Sequence, residues 1–427
     1  MNRAGQTRWE GYERFRPAAP KEALRPSRRD RAQRERANIM SAAKWRRAMA
    51  TGAGAPAVAL PGRLQLVASS PERLRTIDDW PLELQRWISG ISAWQLVVLA
   101  GLVVFPFVVS PFITFQIGAQ ALALGLIALS LTFLGGYGGM VSLAQMTVAG
   151  IAGYAVAILG ASSAAEISLN WPWWLVVPCA VLIATACAAG IAWLSVRTEG
   201  IYTIMITLAI GVAFFYLVLQ NYSFFNGWQG MHKVYPPTVF GINWRDPLPI
   251  YFLTLVCALA SYAFISYIVR SPFGIALQGI RENPRRMESL GFNVVAHRVA
   301  AYVVAGVIAA IGGVLFVWYN GLITPGSVGT SWLINILVIA VLGGMRHPIG
   351  PFLGALIFVL LQTFAIDVID RERFNLVIGG VFLAIVLFSP DGLLGLWSFA
   401  RARFAQSRTG TGRVSSVSTP PRPASRH

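Results

Sequence analysis

Residues 134–154, LGGYGGMVSLAQMTVAGIAGY, gather neutral hydrogen-bonding groups in a run without a single charge. Ser142 and Gln145 stand three apart and so share one face of a helix, with Thr147 close behind them. Hydroxyls and carboxamides hold no net charge. Their chemistry is hydrogen bonding, either to an uncharged or zwitterionic solute in a pathway or to neighbouring helices in a packed bundle, and both readings are open. Asn335, in a later apolar run, is a fourth group of the same kind. Just upstream, Gly135, Gly136, Gly138 and Gly139 cost helix stability and permit close backbone approach or a broken helix. At membrane depth such backbone is tolerable only where protein buries it or it lines a watery cavity.

The second chemically dense stretch is GIALQGIRENPRRMESLGFN, residues 274–293. Asn283 can cap the free N–H groups of a helix, Pro284 suits its first position, and Gly291 is a stop, so the spacing predicts a helix of about two turns over 284–290. Met287 and Leu290 fall on one face, with Arg285, Arg286, Glu288 and Ser289 around the rest. A helix this short is marginal alone in water and needs a surface to lie against. An anionic lipid leaflet suits its arginines, whereas Glu282 and Glu288 make the segment mixed in charge and suit a protein.

Other chemistries lack their residues. Of three lysines, Lys21, Lys44 and Lys233, none stands in a G-x-x-x-x-G-K-[ST] setting, so the chain is not expected to bind ATP through a P-loop. His232, His297, His347 and His427 are far apart without ligand spacing, and no metal site or cofactor is expected. Cys179, Cys187 and Cys257 lie within apolar runs and read as small apolar residues. No His, Asp or Cys constellation of a membrane-embedded enzyme is visible, so no catalytic residue is assigned. The apolar runs contain no charge, which counts against a proton- or ion-coupled carrier. If the chain transports a solute actively, the driver is another chain; an ATP-independent facilitator or channel is the alternative.

The elements that must position these groups are membrane spans. With 55% apolar and 12% charged residues in 427, and a mean hydropathy of +0.58, the chain carries more apolar surface than one water-soluble core can hide. Charge-free stretches near the length that crosses a bilayer cover 94–113, 115–134, 140–160, 173–196, 201–220, 248–269, 299–319, 331–345, 349–366 and 374–389, the eighth being short. The expected fold is an all-α polytopic membrane protein of about ten transmembrane helices, over 91–400. With the N-terminus inside, Lys and Arg divide 31 inside to 4 outside, the four being Lys233, Arg245, Arg371 and Arg373. Both termini are therefore expected in the cytoplasm, and nucleic acid is not expected as a partner. Residues 1–90, Arg-rich with net charge +9, and 401–427 read as disordered cytoplasmic tails. Met40 and Met49 are alternative translation starts, which N-terminal sequencing distinguishes. The outer loop 221–247 carries Phe224, Phe225, Trp228, Tyr235 and Trp244, suited to interfacial anchoring or to docking an external partner.

These motifs in order resemble the membrane subunits of branched-chain amino-acid ABC importers, the high-affinity leucine/isoleucine/valine permease family, M-type subunit. The resemblance runs from about 115 to 397 on GYGGMVSLAQMTVAGIAGY (136–154), GIYTIMITLAIG (200–211), GIALQGIRENPRRMESLGFN (274–293), GLITPGS (321–327), VLGGMRHPIGPFLGA (341–355) and SPDGLLGL (389–396). It implies a permease of a bacterial inner membrane that forms its pathway with a second permease chain. Two cytoplasmic ATPases and an extracytoplasmic substrate-binding protein complete the implied assembly. On that resemblance Arg281, Glu282, Asn283, Leu290 and Gly291 belong to the short cytoplasmic coupling helix that fits the ATPase; the neutral polar groups Ser142, Gln145, Thr147 and Asn335, read from the spans themselves, are the candidate pathway residues. The chain departs from the family at Arg286 and Met287, where two small residues are usual. It departs again at Ala144–Gln145 and Arg346–His347, and at Phe225–Asn226–Gly227, where the family pattern is Thr-Gly-Gly. These departures bear on the substrate, which in related subunits includes amides and urea.

Overall fold

The computed structural model describes residues 93–368, apart from 164–165, 199 and 240, together with 379–380, 383, 392–393 and 395. Its main helices are α1 (Ala93–Val108), α2 (Pro111–Tyr137), α3 (Gln145–Leu159), α4 (Trp173–Ser195), α5 (Ile201–Gln220), α6 (Pro247–Arg270), α7 (Pro272–Glu282), α8 (Pro284–Ser289), α9 (Val294–Asn320), α10 (Thr330–Gly343) and α11 (Gly350–Val368). Five of them, α2, α4, α5, α6 and α9, are long and apolar enough to cross a membrane, and α1, α3, α10 and α11 are shorter apolar helices. This is the expected all-α polytopic membrane fold, with nine of the ten expected spans present as helices among the described residues. The tenth, 374–389, falls almost wholly outside them, as do both tails.

Burial sorts the helices. In α2, 94% of the apolar window is buried, in α9 67%, and in α4, α5 and α6 between 22% and 33%. A helix apolar all round must be surrounded, and α2 and α9 are the centre of the bundle. α9 lies against α2, α3 and α4, while α10 and α11 close over α2 from another side. α4, α5 and α6 turn Leu182, Trp193, Met205, Val256 and Phe264 outward, a face suited to lipid or to another membrane chain. At the rim the Arg197 guanidinium sits 4.9 Å from the Trp193 ring centre, an aromatic and basic pair typical of a membrane interface.

Three features differ from the sequence expectation. The span expected at 140–160 becomes helical only at Gln145, because residues 138–144 run as irregular, mostly buried backbone. Residues 272–282 form a helix that was not expected: Ser271 accepts from the Gly274 N–H, Pro272 holds the first turn, and Gly274, Ala276, Leu277 and Ile280 are buried along one face. Two short antiparallel ribbons also form at one end, Met231–His232 with Leu322–Ile323 and Thr238–Val239 with Ile242–Asn243. The first joins the loop after α5 to the loop after α9, across a long sequence separation that local patterns do not reveal.

Candidate functional site

The bundle has two distinct ends. One carries α7, α8, the Gly135–Gly139 turn and the 344–349 loop; the other carries the β ribbons and the 221–246 loop.

At the first end the charged stretch is built as its residues dictate. Asn283 Oδ1 accepts from the Arg286 N–H at 3.1 Å, Pro284 fills the first position, and α8 ends with Gly291 at φ +89°, a conformation natural to glycine. The Gly291 N–H donates to the Glu288 carbonyl at 2.9 Å and that of Phe292 to the Met287 carbonyl at 3.1 Å, closing the C-terminus. Leu290, Glu282, Arg285 and Arg286 are exposed. Met287 instead turns back onto α7, its sulfur 2.9 Å from where a Cβ on Gly279 would stand. Arg281 is exposed too, but its guanidinium donates to the Gly136 carbonyl. Gly139, at φ +69°, admits Arg281 where a Cβ would stand 2.7 Å from its Cγ, and a Cβ on Gly136 would overlap the Met345 carbonyl. The glycine cluster therefore serves close backbone approach. It lets α7 and the 344–349 loop seat against the end of α2, where Tyr137 also donates to the Arg346 carbonyl at 3.2 Å.

His347 of that loop is exposed at its edge. Partial desolvation, with the Arg270 charge nearby, pushes its imidazole below the ordinary value.

Behind the glycines the chain re-enters the bundle. The irregular stretch 138–144 must satisfy its polar backbone without water, and two side chains do so: the Leu143 N–H donates to Thr207 Oγ1 at 3.1 Å and the Ala144 N–H to Ser142 Oγ at 3.3 Å. Thr207 belongs to the 200–211 motif. Ser142, Gln145 and Thr147 are fully buried, and Asn335 is half-buried on α10. Gln145 Oε1 accepts from Ser130 at 3.1 Å, tying α3 to α2, and the Tyr302 hydroxyl of α9 lies beside Ser142 and Ser195. Thr147 faces Gly211 of α5, and no hydrogen bond brings Asn335 to the other three.

At the opposite end lies a feature sequence reasoning missed. Tyr319, at the end of α9, donates toward Gln116 Oε1 at 3.2 Å and Gln120 Oε1 at 3.3 Å on α2. These groups, with Trp332 of α10 and Gln362 of α11, line a cleft of about 370 Å³. The available signal was two glutamines four apart in a charge-free run, which places both on one helix face. The first turns of α2, Thr114–Ala119, are π-helical, a local widening that frequently accompanies functional side chains.

The bundle thus holds uncharged polar groups inside, a capped surface helix at one end and a polar cleft at the other. Residues 113–386 match the family described as branched-chain amino acid transport system / permease component. The chain belongs to this family. It is similar to the high-affinity branched-chain amino acid transport system permease protein LivM of Escherichia coli (strain K12), 26% identical over 334 residues that cover 72% of this chain and 76% of that one. It is also similar to LivH of the same organism, 27% identical over 289 residues, 63% of this chain and 90% of that one. A nucleoside ABC transporter permease, NupC of Lactococcus lactis subsp. cremoris (strain MG1363), is 28% identical over 123 residues, 29% of this chain and 37% of that one. No solved structure matches the chain.

Proposed function

We propose that this chain is a membrane-spanning subunit of an ATP-binding-cassette importer for branched-chain amino acids or a related small neutral or amide-like solute. It forms the translocation pathway with a second permease chain, receives solute from an extracytoplasmic binding protein, and is driven by two cytoplasmic ATPases. It sits in a bacterial inner membrane with both termini in the cytoplasm. Family membership and the uncharged helical spans support the reading.

The observation that carries it is α8. A six-residue helix with an Asn283 cap, a closed C-terminus and exposed Arg286 and Leu290 is stiffer than an ordinary inter-span loop, and it stands on α7. Closure of an ATPase dimer pressing on α8 would move α7 and the attached α6 and α9. Through Arg281 and the Gly135–Gly139 turn the same push reaches α2, at the centre of the bundle. Packed elements of this kind move as bodies between discrete arrangements, as alternating access requires. Ser142, Gln145, Thr147 and Asn335 remain the proposed polar contacts of the pathway.

The test is uptake of branched-chain amino acids by cells carrying this permease pair, with and without the ATPase subunits. Uptake should vanish without them. Uptake that survives their loss would establish the ATP-independent facilitator instead. Arg286→Glu combined with Leu290→Ala should abolish co-purification of the ATPases at unchanged membrane abundance, and intact co-purification would place the docking face elsewhere.

A further inference from the structure

The cleft at the end of the bundle opposite α7 and α8 has the composition of a solute site. Among its lining residues are three glutamines, Gln116, Gln120 and Gln362, and one phenol, Tyr319, with no acidic or basic side chain. Gln362 Oε1 is buried without a hydrogen-bond partner. Burying an unpaired carboxamide oxygen costs about 1–3 kcal/mol, and such a cost is recovered when a ligand donor arrives. Gln116 and Gln120 share the single Tyr319 hydroxyl proton at their Oε1 atoms, and their amide N–H groups are two further donors four residues apart on α2. The walls are aromatic: Phe115 stands 4.8 Å from Tyr319 and Phe316 5.6 Å from Trp332, centre to centre. At about 370 Å³ the cleft falls within the range of small-molecule sites.

We infer that this cleft is the extracytoplasmic solute-receiving site of the permease, and that it takes a solute of zero net charge with both hydrogen-bond donors and acceptors and an apolar portion. The inference rests on the importer reading above and adds its place and its selectivity. Carboxamides present donor and acceptor together, so they can satisfy the ammonium and carboxylate of a zwitterion or the two sides of an amide without imposing a net charge. A monovalent ion would leave its charge uncompensated in this cleft, which disfavours it. Trp332 and Asn335 are three residues apart on α10, so the cleft continues along one helix face toward a proposed pathway residue.

The experiment uses proteoliposomes holding the intact complex of permeases, ATPases and binding protein. They receive ATP and a defined mixture of the protein amino acids, urea, acetamide and uridine. Accumulation of each solute is read by mass spectrometry. Wild type should accumulate neutral solutes and exclude lysine and aspartate. Gln362→Leu and Gln120→Leu, which keep side-chain bulk, should cut accumulation about tenfold at equal complex abundance and re-order the solutes that remain, because a lost partner weighs differently on each. Unchanged accumulation, or a uniform fall across every solute, would overturn the cleft while leaving the importer intact. A wild-type complex that accumulates nothing would overturn the importer reading and the cleft with it.

Discussion

Arg281 shows how far a single side chain can be read from its neighbours in sequence. The resemblance places it in the segment that meets an ATPase, yet its guanidinium reaches the Gly136 carbonyl, 145 residues away along the chain. Asn283, Pro284 and Gly291 were legible because a helix cap is a contract among residues three or four apart. The Arg281 contact was not, since nothing local to either residue names the other; only the glycine run hinted that some backbone must come close. Because this bond joins α7 to α2, Arg281→Ala should leave the ATPases bound and hydrolysing ATP while uptake per ATP falls about tenfold, the cost of one charge-assisted hydrogen bond. Parallel measurement of hydrolysis and uptake in proteoliposomes decides it, and an unchanged ratio would relieve Arg281 of a transmitting role. Asn283→Ala acts one step earlier. Loss of the cap costs about 1 kcal/mol, a large part of the stability of a six-residue helix, so ATPase co-purification should weaken while membrane abundance holds.

For the elements, hydropathy gave positions and left contacts unread. Charge-free length located the nine apolar helices to within about five residues, because a span must satisfy all its backbone internally and stay apolar where lipid surrounds it. The same rule misled at 140–144, where apolar side chains mimic a span although the backbone is irregular and borrows Thr207 and Ser142 as partners. Nor does hydropathy tell a central helix from a peripheral one; that distinction lies in where small residues let helices touch. A Cβ on Gly313 of α9 would overlap the Ala149 carbonyl of α3, whereas one on Gly190 of α4 would meet nothing within 4 Å. Backbone cannot yield as a side chain can, so overpacking at Gly313 costs at least the usual 1–3 kcal/mol. Gly313→Val should sharply reduce folded protein in the membrane, and Gly190→Val should accumulate to near wild-type level. Quantitative immunoblotting of membrane fractions tests the pair, and equal abundance of the two would show that α3 and α9 do not meet as described.

At the scale of the whole molecule the distribution of charge and the placement of the two ends make a joint demand. Arg270, Arg281, Arg285, Arg286, Arg298 and Arg346 all fall at or beside the end formed by α7, α8 and the 344–349 loop, and Lys233 and Arg245 fall at the end formed by the β ribbons. Basic side chains are retained on the cytoplasmic side during insertion, so the first end should be cytoplasmic and the cleft should open outward. The sequence could carry this expectation because insertion counts charges in short loops, which are readable without a fold. It could not show that the cleft and α8 occupy opposite ends of the bundle centred on α2 and α9, since that follows from packing. Cysteines placed at exposed Trp228 and Arg285, in a chain whose Cys179, Cys187 and Cys257 are replaced by Ala, report the two ends separately. A membrane-impermeant maleimide applied to intact spheroplasts should label Trp228→Cys and spare Arg285→Cys, and permeabilised spheroplasts should label both. The reverse pattern would turn the molecule over and move the ATPases to the cleft end, while labelling of both in intact spheroplasts would mean that the two ends do not lie on opposite sides of one bilayer.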